Sequence, residues 1–372
     1  MDVGTKDLRT ALGAVKRAVS SRPGIPALTG VLLEAGDGRL KLTATDLEVS
    51  VKTAVDGVAT VDGERWAMLV PCRILHDAVK AWKGERFTVS PDGASSARVN
   101  GASSLRLLPA EDFPTLAERG THVATIQADA VRAVVGCVLP AAARDETRPI
   151  IAGVLLELEA GGRVCATATD SYRLHHAETT GAVADEKAIV PARALKALLS
   201  ILGPKTPGVV AVYRGEYEIR FVVPSGIELV TRTIEGEFPN YRQLMADPSP
   251  DDGVLRYDIG EFVTTLEQAA SYCREYCRDT SPVRLELCDG TVRLSASTPD
   301  LGTYVGTVDG AEYEGDAITV AYSPVYLMDA LKSAGPEMRV RDGLKPCIVG
   351  TLDDPYRRVA LVMPVRLPTP IG

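Results

Sequence analysis

The sequence predicts an α+β fold in which one domain is written three times, each copy with helices on one face of antiparallel sheets. Three observations predict it. The stretch Arg163-Val164-Cys165-Ala166-Thr167-Ala168-Thr169-Asp170-Ser171-Tyr172-Arg173-Leu174 has relatives on both sides, at Arg39-Leu40-Lys41-Leu42-Thr43-Ala44-Thr45-Asp46 and at Thr291-Val292-Arg293-Leu294-Ser295-Ala296-Ser297-Thr298-Pro299-Asp300. Its aspartates Asp46, Asp170 and Asp300 stand 124 and 130 residues apart, close to a third of the 372-residue chain. Phe113-Pro114, Phe238-Pro239 and Met363-Pro364 space their prolines 125 residues apart twice over. A fixed repeat period decides architecture ahead of local propensity. The expected domains are residues 1–120, 121–247 and 248–372, each long enough to bury its own core.

The first third opens with an amphipathic helix over Asp7 to Ser20, with Leu8, Leu12, Val15 and Val19 on one face. Arg22-Pro23-Gly24 ends it. Strands Gly30–Glu34 and Leu40–Thr43 flank a turn at Ala35-Gly36-Asp37-Gly38, and Glu48–Val55 continues the sheet. Strand Trp66–Val70 runs into Pro71, which suits a helix start because its missing N–H costs nothing there. The helix spans Cys72 to Lys83, and strands Arg86–Ser90, Ser96–Asn100 and Ser104–Leu108 close the unit. The middle third repeats the plan: helix Asp129–Leu139, hairpin Gly153–Leu158 and Val164–Thr167, then Ala188–Val190, Pro191 and helix Ala192–Leu202. Linkers fall at 117–122 and 246–253. The last third gives helix Ile259–Cys277, strands Val283–Leu287, Val292–Ala296 and Ile318–Tyr322, helix Pro324–Ser333 and strand Arg358–Val362.

Composition, 45% hydrophobic and 24% charged, is that of an ordinary globular protein. No apolar run is long enough to span a membrane, and the N-terminus lacks a signal-peptide layout, so the expected location is cytoplasmic. Seven cysteines, an odd number, argue for buried thiols rather than a disulfide framework. No phosphate loop or nucleophile elbow is present. His175 and His176 alternate across a strand and cannot share a metal; they read as a solvated strand edge. Cys273 and Cys277 lack a second pair to complete a zinc site. The three repeated aspartates read as turn builders that bond their own backbone. The expectation is a non-enzymatic chain without cofactor or metal.

The net charge of −8 excludes a protein that coats nucleic acid all over, but not a local basic surface. Arg9, Lys16 and Arg22 lie on or beside the first helix, Arg73 and Lys80 on the second, Arg132 and Arg144 on or after the third, and Arg193 and Lys196 on the fourth. If these helices share a surface, it suits phosphates without reading sequence.

Over its whole length the chain resembles the bacterial DNA polymerase III beta subunit family, the sliding clamps. The residues that carry the resemblance are Ala168-Thr169-Asp170-x-x-Arg173-Leu174, Glu237-Phe238-Pro239-Asn240-Tyr241, the Leu327–Leu331 helix before Arg339–Asp342, and Val362-Met363-Pro364-Val365-Arg366-Leu367. The resemblance implies a head-to-tail homodimer whose six domains close a ring around duplex DNA, twelve helices lining the hole and sheets forming the outer wall. It implies that Arg22 and the Arg144–Arg148 loop face the DNA. It also implies a groove for short peptides of the replicative polymerase, the clamp loader and repair proteins. That groove would be built from Arg148, Ile151, Thr169, Ser171, Tyr172, Arg173, Leu174, Pro239, Leu244, Leu344, Pro346 and the run Leu361, Val362, Met363, Pro364, Val365, Arg366 and Leu367. Leu105 and Leu107 of the first domain would meet the third domain's long helix near Tyr272 and Tyr276 across the dimer.

The chain departs from the family pattern at Ser171-Tyr172, where many relatives carry Gly-His or a basic-aromatic pair, and at Gln243 and Pro346. These departures raise a second reading, a specialised additional clamp with an altered groove, for example one tolerant of a groove-binding inhibitor. A scaffold that uses the same groove but never encircles DNA is a third. A hydrolase reading needs clustered titratable groups that the sequence does not supply.

Overall fold

The computed structural model describes residues 1–20, 24–58, 65–145, 147–245, 249, 251–273, 281–288, 290–299, 301–351 and 353–366. They form two compact units, Met1–Asp129 with Arg193–Thr233, and Ala130–Ala192 with Ile234–Gly372.

The first unit begins with β1 (Asp2–Gly4), α1 (Thr5–Val15), β2 (Gly30–Gly36), β3 (Arg39–Thr45), β4 (Val49–Asp56), β5 (Trp66–Pro71) and α2 (Cys72–Ala81). β6 (Arg86–Pro91), β7 (Ser96–Val99), β8 (Ser103–Arg106) and β9 (Thr121–Gln127) follow. Helix α1 buries Leu8, Ala11, Leu12 and Val15, the i, i+3, i+4, i+7 stripe of an amphipathic helix. It stops earlier than the sequence suggests. A 3-10 turn over Lys16–Ala18 follows, and Val19 is already extended at φ −88°, ψ 130°. β9 occupies part of the expected linker.

The chain then passes through α3 (Ala128–Val138), β10 (Gly153–Glu159), β11 (Arg163–Thr169), β12 (Arg173–Thr180), β13 (Ala182–Val183) and β14 (Glu186–Pro191). It returns to the first unit with α4 (Ala192–Leu202), β15 (Val209–Arg214), β16 (Glu218–Val222) and β17 (Glu228–Arg232). There β1-β6-β7-β8 form one sheet, and β9-β15-β16-β17-β4-β3-β2-β5 run side by side in another. The joint is the antiparallel β17–β4 pair, Glu228 opposite Lys52 through Thr231 opposite Val49. This pair carries strands of the middle third into the unit of the first third.

The second unit adds β18 (Gly253–Arg256), α5 (Ile259–Ala270), β19 (Val283–Cys288), β20 (Thr291–Thr298), β21 (Gly302–Thr307), β22 (Glu312–Glu314), β23 (Ile318–Tyr322), α6 (Pro324–Ala334), β24 (Glu337–Val340), β25 (Cys347–Val349) and β26 (Val359–Val362). Its sheets are β14-β10-β11-β12-β26-β25-β24-β18-β22 and β21-β20-β19-β23. The β12–β26 pair, Arg173 opposite Val362 through His176 opposite Val359, is the counterpart of β4–β17 one repeat later. Asp258 caps α5 by accepting from the Glu261 N–H at 3.0 Å, and α5 ends at Ala270 with Ser271 as its C-cap. The expected extension to Cys277 crosses residues outside those described. Phe262, Leu266, Leu285, Leu294, Tyr322, Leu327 and Leu331 fill the core between α5, α6 and these sheets.

The repeated aspartates act as turn builders where they are described. Asp46 Oδ1 accepts from the N–H groups of Glu48 and Val49 at 3.1 and 2.9 Å. Asp170 Oδ1 accepts from Tyr172 and Arg173 at 3.0 and 3.1 Å. The preceding threonines repeat as well, Thr45 and Thr169 each bonding across the turn. The price of the tight turn is a left-handed residue after each aspartate, Leu47 at φ 76° and Ser171 at φ 83°. Asp300 lies outside the described residues. The histidine pair corrects the sequence reading: β12 lies between β11 and β26, and both His175 and His176 are buried. Among the described residues no helix is long and apolar enough to cross a membrane.

Candidate partner groove

The turn between β11 and β12 sets the groove. It directs Tyr172 outward, 57% exposed, and Arg173 inward. The Arg173 side chain is only 3% exposed. Its guanidinium donates to Asp170 Oδ2 at 3.0 Å, to Asp329 Oδ2 on α6 at 2.6 Å and to the Pro140 carbonyl. It also lies over the Tyr326 ring, 4.4 Å from the centroid. A buried guanidinium is stable only when its donors are filled, and here carboxylates, a carbonyl and an aromatic face fill them. Arg173 is therefore a bolt between the turn and α6.

Tyr326 in turn stacks on Tyr172, with centroids 6.5 Å apart and planes at 22°. The chain after β26 is stitched alongside: Met363 N–H donates to the Tyr172 carbonyl at 2.9 Å and Val365 N–H to the Ala321 carbonyl at 2.7 Å. The result is a cavity of about 240 Å³ lined by Tyr172, Pro282, Pro324, Tyr326, Met363 and Val365 among others, with no charged side chain among the described residues. A neighbouring cavity of about 390 Å³ shares Tyr172, Ser323 and Tyr326, and adds Arg144, Asp145 and Arg148. Asp145 is held below the usual carboxylate range by hydrogen bonds from the Thr147 hydroxyl and N–H. Arg148 spans the rim, 3.5 Å from Asp145 and 3.3 Å from Ser171 Oγ. An apolar pocket beside a polar rim suits a short segment that buries one or two apolar side chains and bonds through its main chain.

Three family models tile the chain: the N-terminal, central and C-terminal domains of the DNA polymerase III beta subunit match residues 1–117, 125–240 and 248–366. The chain belongs to the DNA polymerase III beta subunit family. Among curated relatives, the beta sliding clamp of Streptomyces coelicolor is 30% identical over 97% of both chains. That of Staphylococcus aureus strain Mu50 is 26% identical over 96% of both. Among solved structures, a sliding clamp of Pseudomonas aeruginosa bound to griselimycin superposes with a TM-score of 0.88 at 25% identity, covering 99% of both chains. The Bacillus subtilis sliding clamp, 23% identical, shares the fold with a TM-score of 0.87 over 98% of both chains.

Of the beta-subunit groove residues expected from the sequence, Arg148, Tyr172, Arg173, Met363, Pro364 and Val365 line the two cavities, and Ser171 bonds Arg148 at their rim. Ile151, Thr169, Leu174, Leu361 and Val362 are buried and line neither. Leu174 and Leu361 face each other across β12–β26 and pack with Leu155, Ile189, Phe238 and Tyr241 beneath the surface. Pro239, Leu244, Leu344 and Arg366 are exposed and Pro346 half-buried, and none of them lines either cavity. Leu367 lies outside the described residues.

Sequence reasoning missed Pro282, Val325, Tyr326 and Asp329. A usable signal existed for two of them. The core stripe of α6 is Leu327, Ala330, Leu331 and Ala334, which leaves Val325, 52% exposed, and Tyr326 as apolar residues off that stripe.

The basic residues divide. Arg9 donates to the Val79 and Trp82 carbonyls at 3.1 and 3.2 Å, tying α1 to α2. Arg193 pairs with Asp46 and, at 3.5 Å, Glu48, so part of its charge is neutralised. Arg17 reaches Ser200, which brings the end of α1 beside α4. Lys16, Arg73, Lys80, Arg144 and Lys196 are exposed and Arg132 half-buried. Arg22 lies outside the described residues. Leu105 is half-buried on β8 with Leu107 just beyond it, and Tyr272 packs 5.7 Å from Tyr304 on β21; Tyr276 lies outside the described residues.

Proposed function

We propose that two copies of this chain close head to tail into a ring around duplex DNA, and that the ring tethers the replicative polymerase, the clamp loader and repair proteins through short peptides seated against Tyr172, Tyr326 and Met363. The domains of each copy would be residues 1–120, 121–247 and 248–372. The observation that carries the reading is the match to all three beta-subunit domains, in order, with near-complete coverage of a beta sliding clamp. The role asks for binding and topology, not chemistry, and the described residues of the groove supply aromatic and apolar walls beside a charged rim.

Internal symmetry supports the closure. Within the chain, β4 pairs β17 and β12 pairs β26. In each pair one strand follows a repeated aspartate and the other precedes a repeated proline. The strand after Asp300 is β21, and the strand before Pro114 is β8. Each is the edge of its four-stranded sheet, and an open edge is a template for pairing with another chain. Using the same contact a third time, β21 of one copy would meet β8 of the next, a heterologous contact that closes when its rotation allows. This shifts the expected contact of Leu105 and Leu107 from the long helix to β21, with Tyr272 behind it.

The test is retention. The protein is loaded on nicked circular DNA with a clamp loader and ATP, and the DNA is then linearised. Retention on circles and loss after cutting is the expected result. A dimer that is never retained, beside a working control clamp, would remove the DNA role and leave the groove as the function.

A further inference from the structure

Beneath the Tyr241 segment, β11 and β12 bring together three residues that the groove does not use. Cys165 pairs with Glu178 and Thr167 with His176 in antiparallel register, so all four share one face of the sheet. Ligand atoms of Cys165, His176 and Glu178 lie within 4.8 Å of one another. Cys165 and His176 are buried and Glu178 half-buried.

His176 has a partner at each ring nitrogen. Its Nδ1 lies 2.8 Å from Thr167 Oγ1 and its Nε2 3.2 Å from Glu178 Oε1. Tyr241, whose ring lies 5.5 Å from the imidazole, donates its phenol proton to Glu157 Oε2 at 2.6 Å. With the Nδ1–H donating to Thr167 Oγ1, the Nε2 lone pair faces the Glu178 carboxylate and Cys165 Sγ, and a cation between them would satisfy all three.

We propose that Cys165 Sγ, His176 Nε2 and a Glu178 carboxylate oxygen form a binding site for a divalent cation of the zinc class, with water in the fourth position. Thiolate, imidazole and carboxylate are the ligands such an ion selects. The Thr167 bond to Nδ1 is the outer contact that fixes a metal-binding histidine's tautomer. Glu178 also makes two long ion pairs that a bound ion would displace. Arg163 grips Glu159 at 2.6 Å and stands 3.9 Å from Glu178; Arg357, 70% exposed, stands 3.7 Å away. Lys187 and Arg242 face Glu157 at 3.9 and 3.3 Å. Binding forms a sulfur–metal bond and releases the thiol proton to water. Because the Glu178 N–H bonds the Tyr356 carbonyl at 2.7 Å, the ion would stiffen the strand that holds the chain segment before β26.

The site is independent of the clamp reading, and cobalt tests it. The full chain is dialysed against excess Co2+, and bound metal and absorption are measured, with Zn2+ in parallel. We expect one equivalent per chain, a thiolate-to-cobalt charge-transfer band and a higher melting temperature with Zn2+. The band should vanish in Cys165→Ser, and uptake should weaken about tenfold or more in His176→Gln and Glu178→Gln. It should survive in a Cys273→Ser/Cys288→Ser double variant, with circular dichroism confirming that each variant folds. No stoichiometric uptake by the parent chain, or a band that persists in Cys165→Ser, overturns the proposal.

Discussion

Replacing Asp329 by asparagine tests whether Arg173 is the bolt of the groove. The change puts a neutral amide where a carboxylate accepts at 2.6 Å from a guanidinium whose side chain is 3% exposed. Hydrogen bonds to charged groups are worth about 1.5–3 kcal/mol. Stripping a buried charge of its partner costs about 3–5 kcal/mol, but that full penalty does not apply. Asp170 remains at 3.0 Å, and the Asp329 side chain is 30% exposed. The expected loss is therefore about 2 kcal/mol, read from urea unfolding. Tyr326 rests on the same guanidinium, so a labelled peptide bearing Leu and Phe should bind about threefold to tenfold more weakly, roughly 1 kcal/mol. In an Arg173→Met background the same substitution should cost little, giving a coupling energy of about 2 kcal/mol. A loss below about 0.5 kcal/mol with unchanged peptide binding would mean that Asp170 and Pro140 suffice to hold Arg173, and the reasoning fails.

Tyr172→Ala should weaken the same peptide by about 1–2 kcal/mol while leaving the melting temperature unchanged, because the ring is a wall of both cavities yet 57% exposed; fluorescence anisotropy reads it, and undiminished binding would move the groove elsewhere. Ser171→Gly should raise stability by about 0.5–1 kcal/mol by relieving the left-handed strain at φ 83°, and a lower melting temperature would show that the Arg148 contact matters more. Leu105→Asp on β8 should turn the dimer into a monomer in sedimentation with the same circular dichroism; a dimer that persists places the closing contact elsewhere. Asp252, which accepts from Arg341 at 2.6 and 3.0 Å, has its pKa lowered chiefly by that hydrogen bond. Its contribution is therefore present above the unfolded carboxylate pKa of about 4 and lost as pH falls through the lower folded value. The stability gap between the parent and Asp252→Asn should be constant near neutrality and shrink below pH about 4; a gap independent of pH would contradict the assignment.

By itself the sequence determined the threefold plan, helices α1 to α6 with part of the strand order, and the turn role of Asp46 and Asp170. These are local or periodic features: an Asx turn needs only its own next residues, and a helix stripe needs only 3.6-residue spacing. Short motifs also carried Arg173 and Met363-Pro364-Val365, which line the two cavities. Tertiary structure alone decided the rest. The pairs β4–β17 and β12–β26 regroup three sequence repeats into two units, since hydrogen-bonded edges ignore distance along the chain. Burial sorted the groove residues, sending Leu174, Leu361 and Val362 inward while Tyr326 and Val325 of α6, distant in sequence, supplied the wall. His175 and His176 are interior because both faces of β12 are covered, by Cys137 of α3 over His175 and by Tyr241 over His176, which no pattern within β12 announces. Cys165, His176 and Glu178 converge only through strand register, and register is set by pairing rather than by any residue's own preference.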